Sequence, residues 1–178
     1  MNIGNRKDIP TTNEYKSRLA DLYEEYYDKV ARYVYVHIGN KEEAEDIAGE
    51  VFLKALKSLE SYRERGVPMQ GWLFRIAHNL TVDYVRKMDK RRTMPADSVE
   101  LVGNDNPVDT AQKNIEFERV TEAMEQLTTE QREVINLRFF GGLTSKEAGD
   151  ILGKSDGAVR EMQRAAIEKL RGIMGVEK

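Results

Sequence analysis

The sequence has no cysteine and only two histidines, His37 and His78, among 178 residues. Without thiols there can be no disulfide scaffold, thiolate zinc site or cysteine nucleophile. Helical bundles that hold two metals use Glu-x-x-His pairs. Val34 and Arg75 stand three residues before the two histidines, so that site is excluded as well. Each histidine reads as a surface or packing residue, and no metal or cofactor is expected. There is no glycine-rich phosphate loop and no nucleophile elbow, which removes the commonest signatures of an enzyme. No apolar run approaches the roughly 18 residues a membrane span needs. The opening MNIGNRKDIPTTN lacks the apolar segment of a secretory signal. A reduced, cytoplasmic setting fits, with no membrane insertion.

Charged residues are plentiful, with 28 Lys and Arg against 31 Asp and Glu. The net charge of −3 conceals an alternation along the chain. Residues 61–92 carry 8 basic and 3 acidic side chains, whereas residues 93–130 carry 2 and 9. Residues 131–178 are basic again, with 9 against 7. Two basic modules are separated by an acidic one, an arrangement for which a single catalytic domain has no obvious need.

Helical periodicity is nearly continuous, and no stretch alternates as a strand would. From about Asn13, apolar residues from Leu19 to Ile38 recur at steps of three and four, until Gly39 stops the helix. Asn40 and Glu43 form the next capping pair. The helix that follows is expected to bury Ala44, Ile47, Val51, Phe52, Ala55, Leu56 and Leu59. A loop, SYRERGVP, leads to a third helix with Trp72, Leu73, Ile76, Ala77, Leu80, Tyr84 and Met88 on its apolar stripe. Residues 93–111 hold two of the four prolines and four acidic residues without periodicity. This segment reads as a flexible linker. The expected architecture is all-α: a flexible tail over 1–13, a helical domain over 14–92, the linker, and a second small helical domain over 112–178. The domains are expected to have separate cores and to move semi-independently.

Two motifs carry chemistry. In TSKEAGDILGKSDGAVREMQRAAIEKL, eight helical residues end at Gly153, a turn KSDG follows, and a second helix starts near Ala158. Gly149 sits where two crossing helices need a small residue, and Ala148, Leu152, Val159 and Met162 have the spacing of apolar pins. This is the pattern of a helix-turn-helix, with Lys154 in a turn position that is usually apolar. The outward face of its second helix carries Arg160, Glu161, Gln163 and Arg164, which could reach phosphates and base edges in a major groove. The bland alternative is a plain helical hairpin.

The second motif is GWLFRIAHNLTVDYVRKMDKRR, residues 71–92, which holds the only tryptophan and the densest basic run. With its apolar stripe buried, the opposite face presents Arg75, Asn79, Asp83, Arg86 and Lys90. Cations at a helix C-terminus suit the macrodipole. The mid-helix Asn79 and Arg75 are not explained that way. Together with Trp72 and Tyr62, such a face suits a DNA backbone with unstacked bases.

These residues carry a resemblance. EEAEDIAGEVFLKALKSLESY and GWLFRIAHNLTVDYVRK, then LTTEQREVINLRFFGGLTSKEAGDILGKSDGAVREMQRAAIEKLR, look like regions 2 and 4 of an extracytoplasmic-function (ECF) sigma factor. The resemblance runs over about residues 15–92 and 112–174. It implies docking of the second helix on the β′ coiled coil of core RNA polymerase through Asp46, Glu50 and Lys54. It implies that the loop and third helix open the −10 promoter element and hold a flipped base, with Asn79 at the family asparagine. Tyr62, Trp72, Arg75, Asp83, Arg86 and Lys90 would complete that DNA-binding set. The helix-turn-helix would read the −35 element. Further implied partners are the polymerase β flap and an anti-sigma factor, and no catalysis is required of this chain. The competing reading is an operator-binding helix-turn-helix regulator, which would leave the 71–92 face and the docking helix without a purpose.

Overall fold

The structure, a computed structural model of the chain, describes residues 11–63, 67–93 and 119–175. Among these residues the fold is entirely helical. Five of the helix starts are fixed by a side chain that satisfies a backbone N–H left over in the first turn. Helix α1 (Thr12–Ile38) begins at a reciprocal Thr11–Glu14 capping box and ends on left-handed Gly39. In α2 (Lys41–Ser58) the Asn40 side chain accepts from the Glu43 N–H, and the helix runs into a 3₁₀ turn, Leu59–Ser61. Helix α3 spans Met69–Thr93, and the helical segment 119–125 is α4. Helix α5 (Thr129–Ile135) starts at a Thr128–Gln131 box and widens into a π-helical turn, Asn136–Phe140. Helix α6 (Ser145–Leu152) starts at a Thr144–Glu147 box, and Ser155 caps α7 (Asp156–Met174).

Three sequence expectations need correcting or placing. The helix-turn-helix turn is tighter than KSDG, because Ser155 accepts from the Ala158 N–H and so draws Asp156 into the first turn of α7. Leu56 was expected on the buried stripe of α2 but is 50% exposed. The tail and the linker lie outside the described residues except at their edges, where Thr12 and Asn13 begin α1 and Thr93 ends α3.

The largest difference concerns the core. Instead of two separate cores, the main cluster joins Val30, Tyr33, Val34, Leu73 and Phe74 of the first domain to Val134, Leu137, Leu143, Ala148 and Val159 of the second. A smaller cluster puts Val36 of α1 among Met124, Leu127, Ile135 and Ala166. Phe74, which the α3 periodicity left off the apolar stripe, is fully buried. Its ring meets Gly141, where an added Cβ would lie 3.3 Å from two Phe74 carbons. The ring also lies edge-on to Tyr26 and Tyr33 of α1, so it is buried between the two domains, which spacing along α3 alone does not reveal.

Candidate nucleic-acid and polymerase interfaces

The helix-turn-helix is built on a close crossing. A Cβ on Gly149 would sit 2.5 Å from the Lys154 carbonyl oxygen and 3.5 Å from a Val159 methyl. Only a residue without a side chain admits that approach. Ala148 and Val159 are fully buried and pin α6 to α7, while Leu152 and Met162 are partly buried beside them. Lys154, the polar residue in the turn, reaches Glu130 of α5 at 2.6 Å, and its backbone N–H caps α6 at the Gly149 carbonyl. An ion pair thus occupies the place an apolar contact would fill.

On the outer face of α7, Arg160, Glu161 and Arg164 are exposed and locally paired. Arg160 lies 2.7 Å from Asp156, and Arg164 lies 3.0 Å from Glu161 and 4.0 Å from Glu168. Both arginines are held in i, i+3 or i, i+4 pairs, which are weak at a surface and are readily exchanged for phosphate. Gln163 is half-buried and accepts from Arg138 Nε at 2.8 Å. Arg138 also donates to the Leu143 carbonyl. Arg138, Arg160, Arg164 and Arg171 line a concavity of about 650 Å³ with Ser145 and Gln163. Sequence reasoning did not single out Arg138, which precedes the helix-turn-helix, or Arg171, which continues the Arg160–Arg164 face two turns further along α7. A second concavity, of about 300 Å³, is apolar and is lined by Val120, Met124, Phe139, Phe140, Leu170 and Met174 among others. Phe139 beside it is 59% exposed.

On α3, Arg75, Asn79, Asp83, Arg86 and Lys90 are all exposed and share one face, as their spacing required. Asp83 and Arg86 form a loose 3.5 Å pair. Arg75 is engaged across the domains, donating to the Asp150 carbonyl at 2.9 Å. Trp72 is half-buried and packs against Tyr62, with ring centroids 4.7 Å apart and planes tilted by 42°. Tyr62 does not join the DNA-facing set. It is 5% exposed, edge-on to Tyr15, with its hydroxyl donating to the Val67 carbonyl. Its ring supports Trp72 from beneath, so it acts on the surface only through that neighbour.

The outer face of α2 presents Asp46, Glu50 and Lys54, all exposed. Between and beyond them lie Leu53 at 58% exposure and Leu56 at 50%. Acidic and apolar side chains therefore share this face. The sequence signal for Leu53 was its place between Glu50 and Lys54, off the buried stripe. No group of three or more His, Cys, Asp or Glu placed to hold a metal ion occurs among the described residues. No helix among them is long and apolar enough to cross a membrane.

Comparison with known proteins agrees with this arrangement. Residues 22–92 match the family model for Sigma-70 region 2, and residues 123–172 match that for Sigma-70, region 4. The ECF RNA polymerase sigma factor SigD of Mycobacterium tuberculosis is 30% identical over 162 residues, 88% of this chain and 76% of SigD. SigM of Bacillus subtilis is 30% identical over 156 residues, 86% of this chain and 93% of SigM. This chain belongs to the ECF sigma factors. As a member of that family it is a factor for transcription initiation. BldN of Streptomyces coelicolor is 31% identical over 159 residues, and the matched part spans 59% of its length. Two solved structures share the fold. CnrH, in complex with the cytosolic domain of CnrY, has a TM-score of 0.66 at 22% identity and covers 94% of both chains. RpoE of Bartonella quintana, in complex with the anti-sigma factor NepR, has a TM-score of 0.69 at 20% identity. That match covers 91% of this chain and 99% of RpoE.

Proposed function

We propose that this sigma factor uses three surfaces in sequence. The outer face of α2 docks on the β′ coiled coil, with Asp46 and Glu50 facing basic partners and Leu53 and Leu56 adding apolar area. Helix α7 then holds the −35 duplex through Arg160 and Arg164. Finally the α3 face, with Asn79 at its centre and Trp72 at its edge, stabilises bases unstacked from the −10 element. The apolar concavity under Phe139 is suited to an apolar helix, and the β flap is its proposed occupant. An anti-sigma factor is a proposed further partner, as NepR is for the RpoE relative. The chain acts in the cytoplasm and contributes no chemistry of its own, which the polymerase supplies.

The observation that carries this reading is the exposed acidic and apolar face of α2, which a duplex-binding protein has no use for. The experiment is run-off transcription by core polymerase on a promoter library, with and without the pure chain. Specific transcripts that need the chain support the reading. Operator binding without any new transcript overturns it.

A further inference from the structure

The two histidines that appeared functionless in the sequence meet at the interface between the domains. His37, in the last turn of α1, places Nε2 2.8 Å from Glu133 Oε1 of α5 and Nδ1 2.6 Å from the Tyr33 carbonyl oxygen of its own helix. A carbonyl oxygen only accepts, so Nδ1 must carry a proton. An ionised carboxylate only accepts, so Nε2 must carry one too. Donation from both nitrogens is the pattern of a protonated ring, and the C-terminal end of the α1 dipole also favours a cation here.

The second carboxylate oxygen of Glu133 fixes the other partners. Tyr33 donates its hydroxyl to Oε2 at 3.1 Å, and its single proton is then spent. The Tyr33 oxygen therefore accepts from His78 Nδ1, 3.0 Å away on α3. His78 Nδ1 is also 3.5 Å from Oε2. Asn136 is fully buried against the same site, with its Nδ2 3.3 Å from His37 Nε2 and its Oδ1 unpartnered. A half-turn of that amide would bring Oδ1 onto the His37 ring in place of the Nδ2 donor. The titratable groups of the cluster are thus Tyr33 and His37 from α1, His78 from α3 and Glu133 from α5, with Asn136 the neutral member.

Glu133 is the only one of these charges that belongs to the second domain. Burial alone would raise its carboxyl, but the hydrogen bonds and charge of His37 and His78 outweigh it and hold the group well below the usual carboxylate range. The contact is an ion pair shielded from water, where removing one charge strands the other.

What the cluster closes is also clear. It holds the second domain where Arg75 is bonded to Asp150 and α6 lies against the start of α3. The −10 and −35 elements are about 25 base pairs apart by name, roughly 85 Å at 3.4 Å per pair. With α6 against α3 and α7 packed on α6, the faces of α3 and α7 sit on one packed body and do not span that distance.

We propose that His37, His78 and Glu133 form a proton-dependent latch that keeps the free protein closed and must be released before both promoter elements can be read. The sign follows from proton counting. Closure sets the His37 ring 2.8 Å from the Glu133 carboxylate, a contact that is attractive only with a proton between them, so closure is favoured at lower pH and weakened as pH rises. Release of one proton raises the ratio of open to closed by at most about tenfold per pH unit.

The chain has no cysteine, so dyes can be attached at E42C and E168C, exposed positions on α2 and α7. Energy transfer between them is measured on the full chain from about pH 5.5 to about pH 8.5. The expected result is high transfer at the acid end that falls towards the alkaline end, with the slope reduced in His37→Gln and lost in His37→Gln/His78→Gln. If the double variant loses helicity by circular dichroism, Glu133→Gln, which keeps both rings, is expected to flatten the slope instead. Transfer that does not change with pH in the parent, or a slope that persists in whichever variant folds, overturns the latch. The readout needs neither polymerase nor DNA. An unlatched but transcriptionally active protein therefore counts against the latch alone, and a latched but inactive one counts against the sigma-factor assignments alone.

Discussion

Arg75 donates to the main-chain carbonyl of Asp150, so the face proposed to open DNA is tied to the helix-turn-helix proposed to read it. Asn79, one turn further along the same face, stands exposed. The two residues therefore differ in what their loss should do. Asn79→Ala should impair transcription from closed duplex far more than from a template with a pre-melted bubble, because the bubble no longer needs a few kcal/mol of unstacking. Arg164→Ala should weaken binding to the upstream duplex with either template and, for a phosphate contact, reduce the salt slope by roughly one. Permanganate footprinting with abortive initiation on matched templates separates them. Normal opening by Asn79→Ala would remove the melting role from α3.

The α2 face makes a second prediction. Asp46→Arg with Glu50→Arg should abolish retention on core polymerase while circular dichroism stays that of the parent. Leu53→Ser with Leu56→Ser should weaken retention without lowering stability, since both side chains are more than half of the way to full exposure or at that mark. Each buried methylene at the docked interface is worth about 0.8 kcal/mol. Polymerase binding unchanged by either pair means that α2 is not the docking face.

Two glycines of the helix-turn-helix should respond in opposite directions to alanine. At Gly149 the new methyl would meet the Lys154 backbone at 2.5 Å, so α6 and α7 must separate, at a cost of about 1–3 kcal/mol. At Gly172 in α7 nothing lies within 4 Å, and alanine should stabilise the helix by up to about 1 kcal/mol. Urea unfolding of both variants checks the pair, and equal effects would mean that the crossing is looser than described.

The Glu133 carboxyl ionises at lower pH in the folded chain than in the unfolded one. The stability it contributes is therefore complete above the ordinary carboxylate range and drains away as pH falls below it. The urea midpoint of the parent should drop between about pH 5 and about pH 3, and that of Glu133→Gln should drop less. Parallel acid limbs in the two proteins would place the loss elsewhere.

Much of this was legible in the sequence because it is local. Capping boxes at Thr128 and Thr144, the glycine at the helix crossing and the shared face of Arg75, Asn79 and Arg86 all follow from spacing along one helix. What was not legible lies between helices of different domains. Phe74 was left off the stripe because its ring fills the space between α1 and Gly141, and His37 looked idle because its carboxylate is 96 residues away. Tyr62 and Leu56 were misread for the reverse reason. An aromatic next to a basic face and a leucine at core spacing are each ambiguous until the neighbouring helix is placed. Tyr62 lies under Trp72, whereas Leu56 faces outward.

Val36 sits in the core of the opposite domain, and this placement has a thermodynamic price for every partner. Any ligand that needs the domains apart binds only the separated fraction, so its apparent dissociation constant is the intrinsic one divided by that fraction. With about one molecule in a hundred separated, affinity falls about a hundredfold. Substitutions at Val36, distant from DNA and polymerase alike, would then tighten the binding of both together.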